Sequence, residues 1–454
     1  MNQFKARKWI KRPSCFEFIA SIFILVELIQ EPSSSARDYA APAEVEERWA
    51  IHFQATTVTQ WHPDFSARYS GPNSLSPNSE LKTSFTSTLF TGVRLWEGAA
   101  VYLDPELSAG SGFSHTLGVA GFPNGEIYRV DNAQPKVSLA RFFIRQTFGF
   151  GGGKERVNPD QEELGGDVDD YRVTLTLGKF SLTDLFDDNA YSHNPRTQFL
   201  NWALMDNGAW DYAADTRGYT EAIALEYNQP RWALRVAIAR VPKEANKMAL
   251  DTNLLKAHGD NVEFEYRYAI GDHPGKLRLF WFENHAHMGS YRETINTPAF
   301  GMDITRSRQY RVKYGFGINL EQEVREDLGA FLRAGWNDGR TETWAFTEID
   351  RTLSGGVRLK GTGWGRSNDT VGVAAAINGL SHDHADYLAA GGIGFIIGDG
   401  RLTYAPEEIV EAYYQWKPLD RVEITPDTQY IRHPAYNVDR GPVFVAGARF
   451  HYEF

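Results

Sequence analysis

Long stretches of this chain alternate in side-chain character with a period of two. In DNVEFEYRYAIG, residues 260–271, one face carries Val262, Phe264, Tyr266, Tyr268 and Ile270, and the other Glu263, Glu265 and Arg267. In QYRVKYGFGINLE, residues 309–321, Tyr310, Val312, Tyr314, Phe316, Ile318 and Leu320 oppose Gln309, Arg311, Lys313, Gly315, Gly317 and Asn319. Period two is the signature of β-strand. These runs last about ten residues, the length that crosses a bilayer when tilted, whereas strands of globular proteins average about five or six. Beyond residue 40 no run of about 18 apolar residues occurs, so no spanning helix is expected. Inside hydrocarbon every backbone polar group needs a partner, so strands can cross only as a closed barrel.

Sixteen strands are expected, the first at 49–61 and the last at 443–454, with one long strand at 344–360. Links after odd-numbered strands are mostly long: 62–83, 108–136, 180–217, 241–260, 285–308 and 379–407. Several links after even-numbered strands are short, among them Glu97-Gly98 and Asp272 to Gly275. Long loops on one rim and short turns on the other give an all-β, 16-stranded antiparallel transmembrane β-barrel with long extracellular loops. An even count puts both termini on the short-turn side. One link breaks the pattern. The acidic segment 151–170 is long and falls on the short-turn rim, either as an ordered insertion or as a strand pair that would change the count to 14 or 18. It is expected to stand clear of the pore.

Lys5, Arg7, Lys8, Lys11 and Arg12 precede an apolar run from Phe16 to Ile29 and small residues at 33–36. This order predicts a cleaved signal peptide over 1–36, a short segment at 37–48 and a barrel over 49–454. The single cysteine, Cys15, falls within the predicted leader. A net charge of −11 argues against nucleic acid as a partner. Trp49, Trp61, Trp96, Trp232, Trp281, Trp336 and Trp416 lie near expected strand ends, where aromatic belts meet the membrane interface. Partners are therefore outer-membrane lipid and a solute.

Chemistry-bearing motifs are sparse. Gly151 to Lys154 lacks the spacing of a phosphate loop. No G-x-S-x-G elbow occurs. His382, Asp383, His384 and Asp386, the His285-Ala286-His287 tripeptide and the acidic 160–170 run all read as solvated loop residues, so no metal, cofactor or catalytic group is expected.

YSGPNSLSP (69–77), HTLGVAGFPNGE (115–126), GKFSLTDLFDDNAYSHNPRTQFLNW (178–202), GAWDYAADTRGYT (208–220) and EAYYQWKPLDRVEITPDTQYI (411–431) resemble the OprB-type carbohydrate-selective porins of Gram-negative bacteria. The resemblance implies passive, selective diffusion of small sugars such as glucose through the outer membrane, inward-folded loops and a possible homotrimer. The 180–217 loop is rich in aromatics yet carries Asp184, Asp187, Asp188, Arg196, Asp206 and Asp211, so at least one loop is expected inside the lumen. Polar wall positions carry both signs of charge, which suits a neutral polyol better than an ion. The candidate pore-constriction residues are Arg94, Asp104, Glu106, Asp184, Arg196, Trp202 and Asp211. A general or ion-selective porin, or a polysaccharide export barrel, would share the same architecture.

Overall fold

A computed structural model describes residues 46–127 and 132–454. The predicted leader, 1–36, and most of the 37–48 segment lie outside the described residues. Alternation along the chain produces eighteen strands: β1 (Trp49–His62), β2 (Glu80–Trp96), β3 (Ala99–Gly110), β4 (Asn132–Gly149), β5 (Lys154–Val157), β6 (Gly166–Asp169), β7 (Arg172–Phe180), β8 (Thr220–Asn228), β9 (Trp232–Ala239), β10 (His258–Ile270), β11 (His273–Met288), β12 (Gln309–Arg325), β13 (Leu328–Asn337), β14 (Arg351–Gly361), β15 (Arg366–Gly379), β16 (Glu407–Leu419), β17 (Val422–Arg432) and β18 (Val443–Glu453). All but β5 and β6 form one closed antiparallel barrel of sixteen strands.

The barrel closes by pairing β18 with β1, from Gln54 opposite Glu453 to Trp61 opposite Ala446. Phe53 and Phe454 exchange backbone hydrogen bonds at 3.0 Å each way, so the last residue completes the seam. Closure leaves no open edge among the barrel strands. The outward face is apolar and exposed, as at Ile223, Leu225, Leu353, Val357, Val373, Ile377, Phe444 and Phe450. The inward face is polar and buried, as at Gln54, Thr56, Gln60, Thr88, Glu106, Asn319 and Glu411. Trp49, Trp96 and Trp416 are exposed near the short-turn rim and Trp61 near the other. Trp281 departs from the expected belt, because β11 extends to Met288 and leaves it mid-strand.

The ordered-insertion reading of 151–170 holds, and the strand expected from 344 starts late. The segment 151–170 adds no barrel strands; β5 and β6 form a separate two-stranded hairpin. The strand expected at 344–360 begins only at Arg351. The Asp211 carboxylate takes the backbone N–H groups of Trp344, Ala345 and Phe346 at 2.8, 2.7 and 3.1 Å, so these donors are engaged by a loop and not by a neighbouring strand.

The core lies inside the lumen. The 181–219 loop folds inward and packs Phe199 against Phe331 of β13 and Tyr413 of β16, with ring centroids 5.7 and 5.0 Å apart. Trp210 meets Phe280 of β11 at 5.0 Å. Glycines on the wall make room, since a Cβ at Gly329 would overlap the Tyr191 ring and one at Gly335 the Asn207 side chain. A buried loop must also satisfy its backbone. Glu411 accepts from the N–H groups of Leu200 and Asn201 at 2.6 and 2.9 Å. Arg449 donates to the carbonyls of Pro195 and Gln198, both at 2.7 Å. Arg333 pairs with Asp187 at 3.1 Å, both fully buried.

Asp211 lies at the centre of this packing, 3.4 Å from the buried Lys313 ammonium. Asp211→Ala leaves that charge and three N–H groups without their acceptor, a loss of about 3–5 kcal/mol. It should lower the apparent unfolding midpoint and speed proteolysis within 338–350, with Asp211→Asn milder. An unchanged midpoint and digestion pattern would contradict the clamp.

Candidate pore constriction

Between the infolded loop and the wall made by β2, β3 and β4 lies a cavity of about 390 Å³, lined by Thr86, Glu106, Glu126, Arg141, Glu162, Asp184, Arg196, Trp202, Tyr212 and Tyr219. A second space of about 450 Å³ shares Gln161, Glu162 and Asp184 with it. A third, lined by Arg145 and Glu163 like the second, leads on towards Arg94 and the short-turn rim. Shared lining residues thus set these polar spaces in series from the loop side towards the short-turn rim.

Two arginines organise the narrow part. Arg141, on an inward position of β4, makes a bidentate pair with Asp184, its Nε and Nη2 at 2.7 and 2.6 Å from the two carboxylate oxygens. Its Nη1 lies 2.9 Å from Glu162. Asp184 is held in turn by the backbone N–H of Ser181 at 2.9 Å, within the capping box that starts the loop. Arg196, on the infolded loop, sits 3.0 Å from Glu126 and 3.1 Å from Glu106. Glu106 also accepts from Thr88 at 3.0 Å and from the Tyr219 hydroxyl at 3.2 Å. Burial works against the Arg196 charge, but Glu126 and Glu106 outweigh it and hold the guanidinium above its ordinary range. Every charged group here has a fixed partner, so donors and acceptors are oriented before any solute arrives. Aromatic rings line the same cavity. Trp202 lies 5.8 Å from Phe346, and Phe346 lies 4.7 Å from Tyr212.

Of the seven expected residues, Glu106, Asp184, Arg196 and Trp202 line this cavity. Asp104 does not; it is fully buried opposite Arg141 in the β3–β4 register. Arg94 lies near the short-turn rim, 3.1 Å from Glu46 and 3.0 Å from the Glu47 carbonyl. Asp211 is the loop clamp described above. Many charges on the wall likewise anchor loops and do not face a solute. Glu126, Arg141, Glu162 and Tyr219 also line the candidate constriction. Glu126 ends the motif at 115–126 and Tyr219 is the penultimate residue of that at 208–220, but no spacing rule places them beside Glu106.

Glu162 overturns the expectation that the 151–170 segment stands clear of the pore. From β5, the chain rises into the lumen and returns through β6. Arg145 pairs with Glu163 at 2.7 Å, and Gln161 donates to Gln54 at 3.0 Å. Leu164 is buried in the cluster that contains Tyr102. Burial pushes the Glu162 carboxyl up, opposed by Arg141. The His285-Ala286-His287 tripeptide, expected in a loop, lies instead within β11, because that strand runs on to Met288. His384 is buried with Nδ1 3.0 Å from Asp350, while Asp383 and Asp386 pair with Arg292.

Residues 72–454 match the family model described as carbohydrate-selective porin, OprB family. The chain belongs to the OprB family of carbohydrate-selective porins. The fold agrees. The high-pH structure of Pseudomonas putida OprB superposes with a TM-score of 0.69 at 16% identity, covering 90% of this chain and 94% of that one. The low-pH structure of the same porin gives 0.49 at 13% identity, covering 90% and 93%. The outer membrane channel DcaP of Acinetobacter baumannii gives 0.49 at 9%, covering 91% and 100%. No curated protein sequence matches the chain. Family and fold place this porin in the bacterial outer membrane, with the long loops extracellular and the short turns periplasmic. The 151–170 hairpin is thus a periplasmic insertion reaching up to the constriction.

The ends of that insertion already meet, with the Phe150 N–H 2.8 Å from the Tyr171 carbonyl. Deleting residues 152–169 would leave Gly151 and Asp170 as a two-residue turn. Single-channel conductance should then rise measurably, and an unchanged conductance would remove the hairpin from the pore.

A second prediction concerns pH. Burial alone would lower the His193 pKa, yet the ion pair with Asp206 at 3.2 Å raises it to about 9. The unfolded value is about 6.5. Because the folded value is the higher, the pair's stabilisation is complete below about pH 6.5 and is lost as pH rises through 9. The stability advantage of the parent over His193→Asn, followed by thermal unfolding, should shrink between pH 6.5 and 9; a constant difference would contradict the pair.

Proposed function

We propose that this porin passes small neutral sugars, such as glucose, by passive diffusion through the cavity between Arg141 and Arg196. The observation that carries this reading is the alternation of fixed opposite charges, Glu126–Arg196–Glu106 and Asp184–Arg141–Glu162, in one cavity with Trp202 and Tyr212. A sugar offers hydroxyls that both donate and accept, which a guanidinium beside a carboxylate can satisfy together. Its C–H face suits an aromatic surface. A volume of about 390 Å³ is at the small end of ordinary ligand sites, which span about 300–1,000 Å³, and favours small sugars over polymers. Rings of one sign, as used for ion selectivity, would look different. Occupancy must be brief, because a conducting site has to release its solute.

Assembly as a homotrimer belongs to the same proposal, on the strength of the family resemblance, and is checked by the mass of the native assembly in detergent.

Planar-bilayer recording tests the reading. Added glucose should reduce the current through the parent channel, with weak preference between ion signs. Arg196→Ala, which removes the donor between Glu126 and Glu106, should weaken that block by about tenfold, the loss of a single charge-assisted hydrogen bond of roughly 1.5 kcal/mol. Strong selectivity for one ion sign with no response to sugars would overturn it.

A further inference from the structure

Four titratable side chains interrupt the apolar outer wall near the extracellular rim of β10 and β11. His258 is paired across the strands with His285, and Asp260 with Glu283. All four point outward, because the intervening Gly259, Asn261 and Asn284 face inward: a Cβ on Gly259 would meet Ala213 and the Asn284 side chain, Asn261 accepts from the Trp210 indole, and Asn284 donates to the Asp211 carbonyl. On either side the wall returns to apolar residues, with the exposed Ile238 opposite Asp260 on β9 and Val312 opposite His285 on β12. An outward position on such a strand normally faces lipid, where ionisable groups are unfavourable.

The four groups converge. The two imidazoles stack with centroids 4.4 Å apart and planes 17° from parallel. Donor atoms of His258, Asp260 and His285 all lie within 4.8 Å of one another. His258 Nε2 is 3.5 Å from Asp260, and His285 Nε2 is 2.8 Å from Glu283. One row further out, the His287 and Tyr310 rings lie 5.4 Å apart, and the Lys256 ammonium lies 5.6 Å from the Tyr310 ring.

We propose that His258, Asp260 and His285 form a divalent transition-metal site on the outer wall, with Glu283 available as a fourth ligand. Two imidazoles and a carboxylate suit Zn²⁺ and its neighbours, whereas Ca²⁺ and Mg²⁺ prefer oxygen ligands throughout. Ligands at alternate positions on two paired strands stand on a rigid frame, so little ordering is needed on binding. Small rotations of both rings would bring Nε2 of each towards one ion. The carboxylates offset the ion's charge, and Glu283 already touches His285, so it can hold that ring's orientation until the metal binds. The site is separate from the pore, since the same strands present Glu263 and Arg278 to the lumen.

Titration of the intact, detergent-solubilised barrel with Zn²⁺ tests this, followed by calorimetry. The expected result is one Zn²⁺ per chain. Its affinity should fall at least about tenfold in His285→Gln and in Asp260→Asn, and binding should be abolished in the double variant H258Q/H285Q. His433→Gln, remote from the cluster, should bind as the parent does. Cobalt substitution should give the visible d–d bands of a low-symmetry site in the parent and lose them in the double variant. Heat-modifiable gel mobility and glucose block should be unchanged in every variant, which separates loss of ligand from loss of fold. A stoichiometry well below one, or Zn²⁺ affinity indifferent to H258Q/H285Q, would overturn the site.

Discussion

The structure depends on the requirement that a backbone placed inside a barrel be hydrogen-bonded as fully as the barrel wall. Sixteen strands enclose more space than their own inward side chains fill. The 181–219 loop occupies much of it and brings its own peptide groups into burial. Charged wall residues resolve the problem. Glu411 receives two loop N–H groups, Arg449 gives to two loop carbonyls, and Arg333 holds Asp187. Burying these charges is unfavourable unless each is paired, so the wall and the loop must be read together.

That division of labour explains the chemistry of the opening. Wall charges consumed by loop anchoring are not free to meet a solute. Along β2, β3 and β4 a cavity remains, spanned by loop-to-wall ion pairs in which Arg141 and Arg196 each hold two carboxylates. The periplasmic insertion then adds Glu162 from below. The candidate constriction is therefore assembled from four chain segments: a strand wall, the β3–β4 loop that carries Glu126, the infolded 181–219 loop and a periplasmic hairpin. A change in any of them should alter the others through shared ion pairs.

Much of the barrel was legible in the residues. Alternation located all sixteen barrel strands, and loop lengths gave the two rims, because a half-buried strand imposes its period directly on composition. Errors fell where a tertiary contact overrode the local pattern. Residues 344–346 look strand-like, but Asp211 captures their N–H groups. The 151–170 segment looks like a solvated acidic excursion, but Arg141 and Arg145 draw its carboxylates into the lumen. Arg94 and Asp211 have the right chemistry for a constriction, yet lie near a rim and in a loop clamp. Residue type reveals what a side chain can do, and not which of many equivalent carboxylates ends up facing open space.

The terminal RFHYEF shows the boundary between the two. Alternation alone determined that Phe450 and Phe454 would share one face and Arg449 and His451 the other. Both phenylalanines are exposed outward and both polar residues are buried inward. Only the closed barrel decided what those inward groups meet. Arg449 reaches the loop carbonyls of Pro195 and Gln198, and His451 meets Thr56 of β1 at 2.8 Å. The physical reason is range: side-chain facing is set by a neighbour two residues away, whereas a partner more than 250 residues distant is chosen by closure of the sheet and the path of a loop through it.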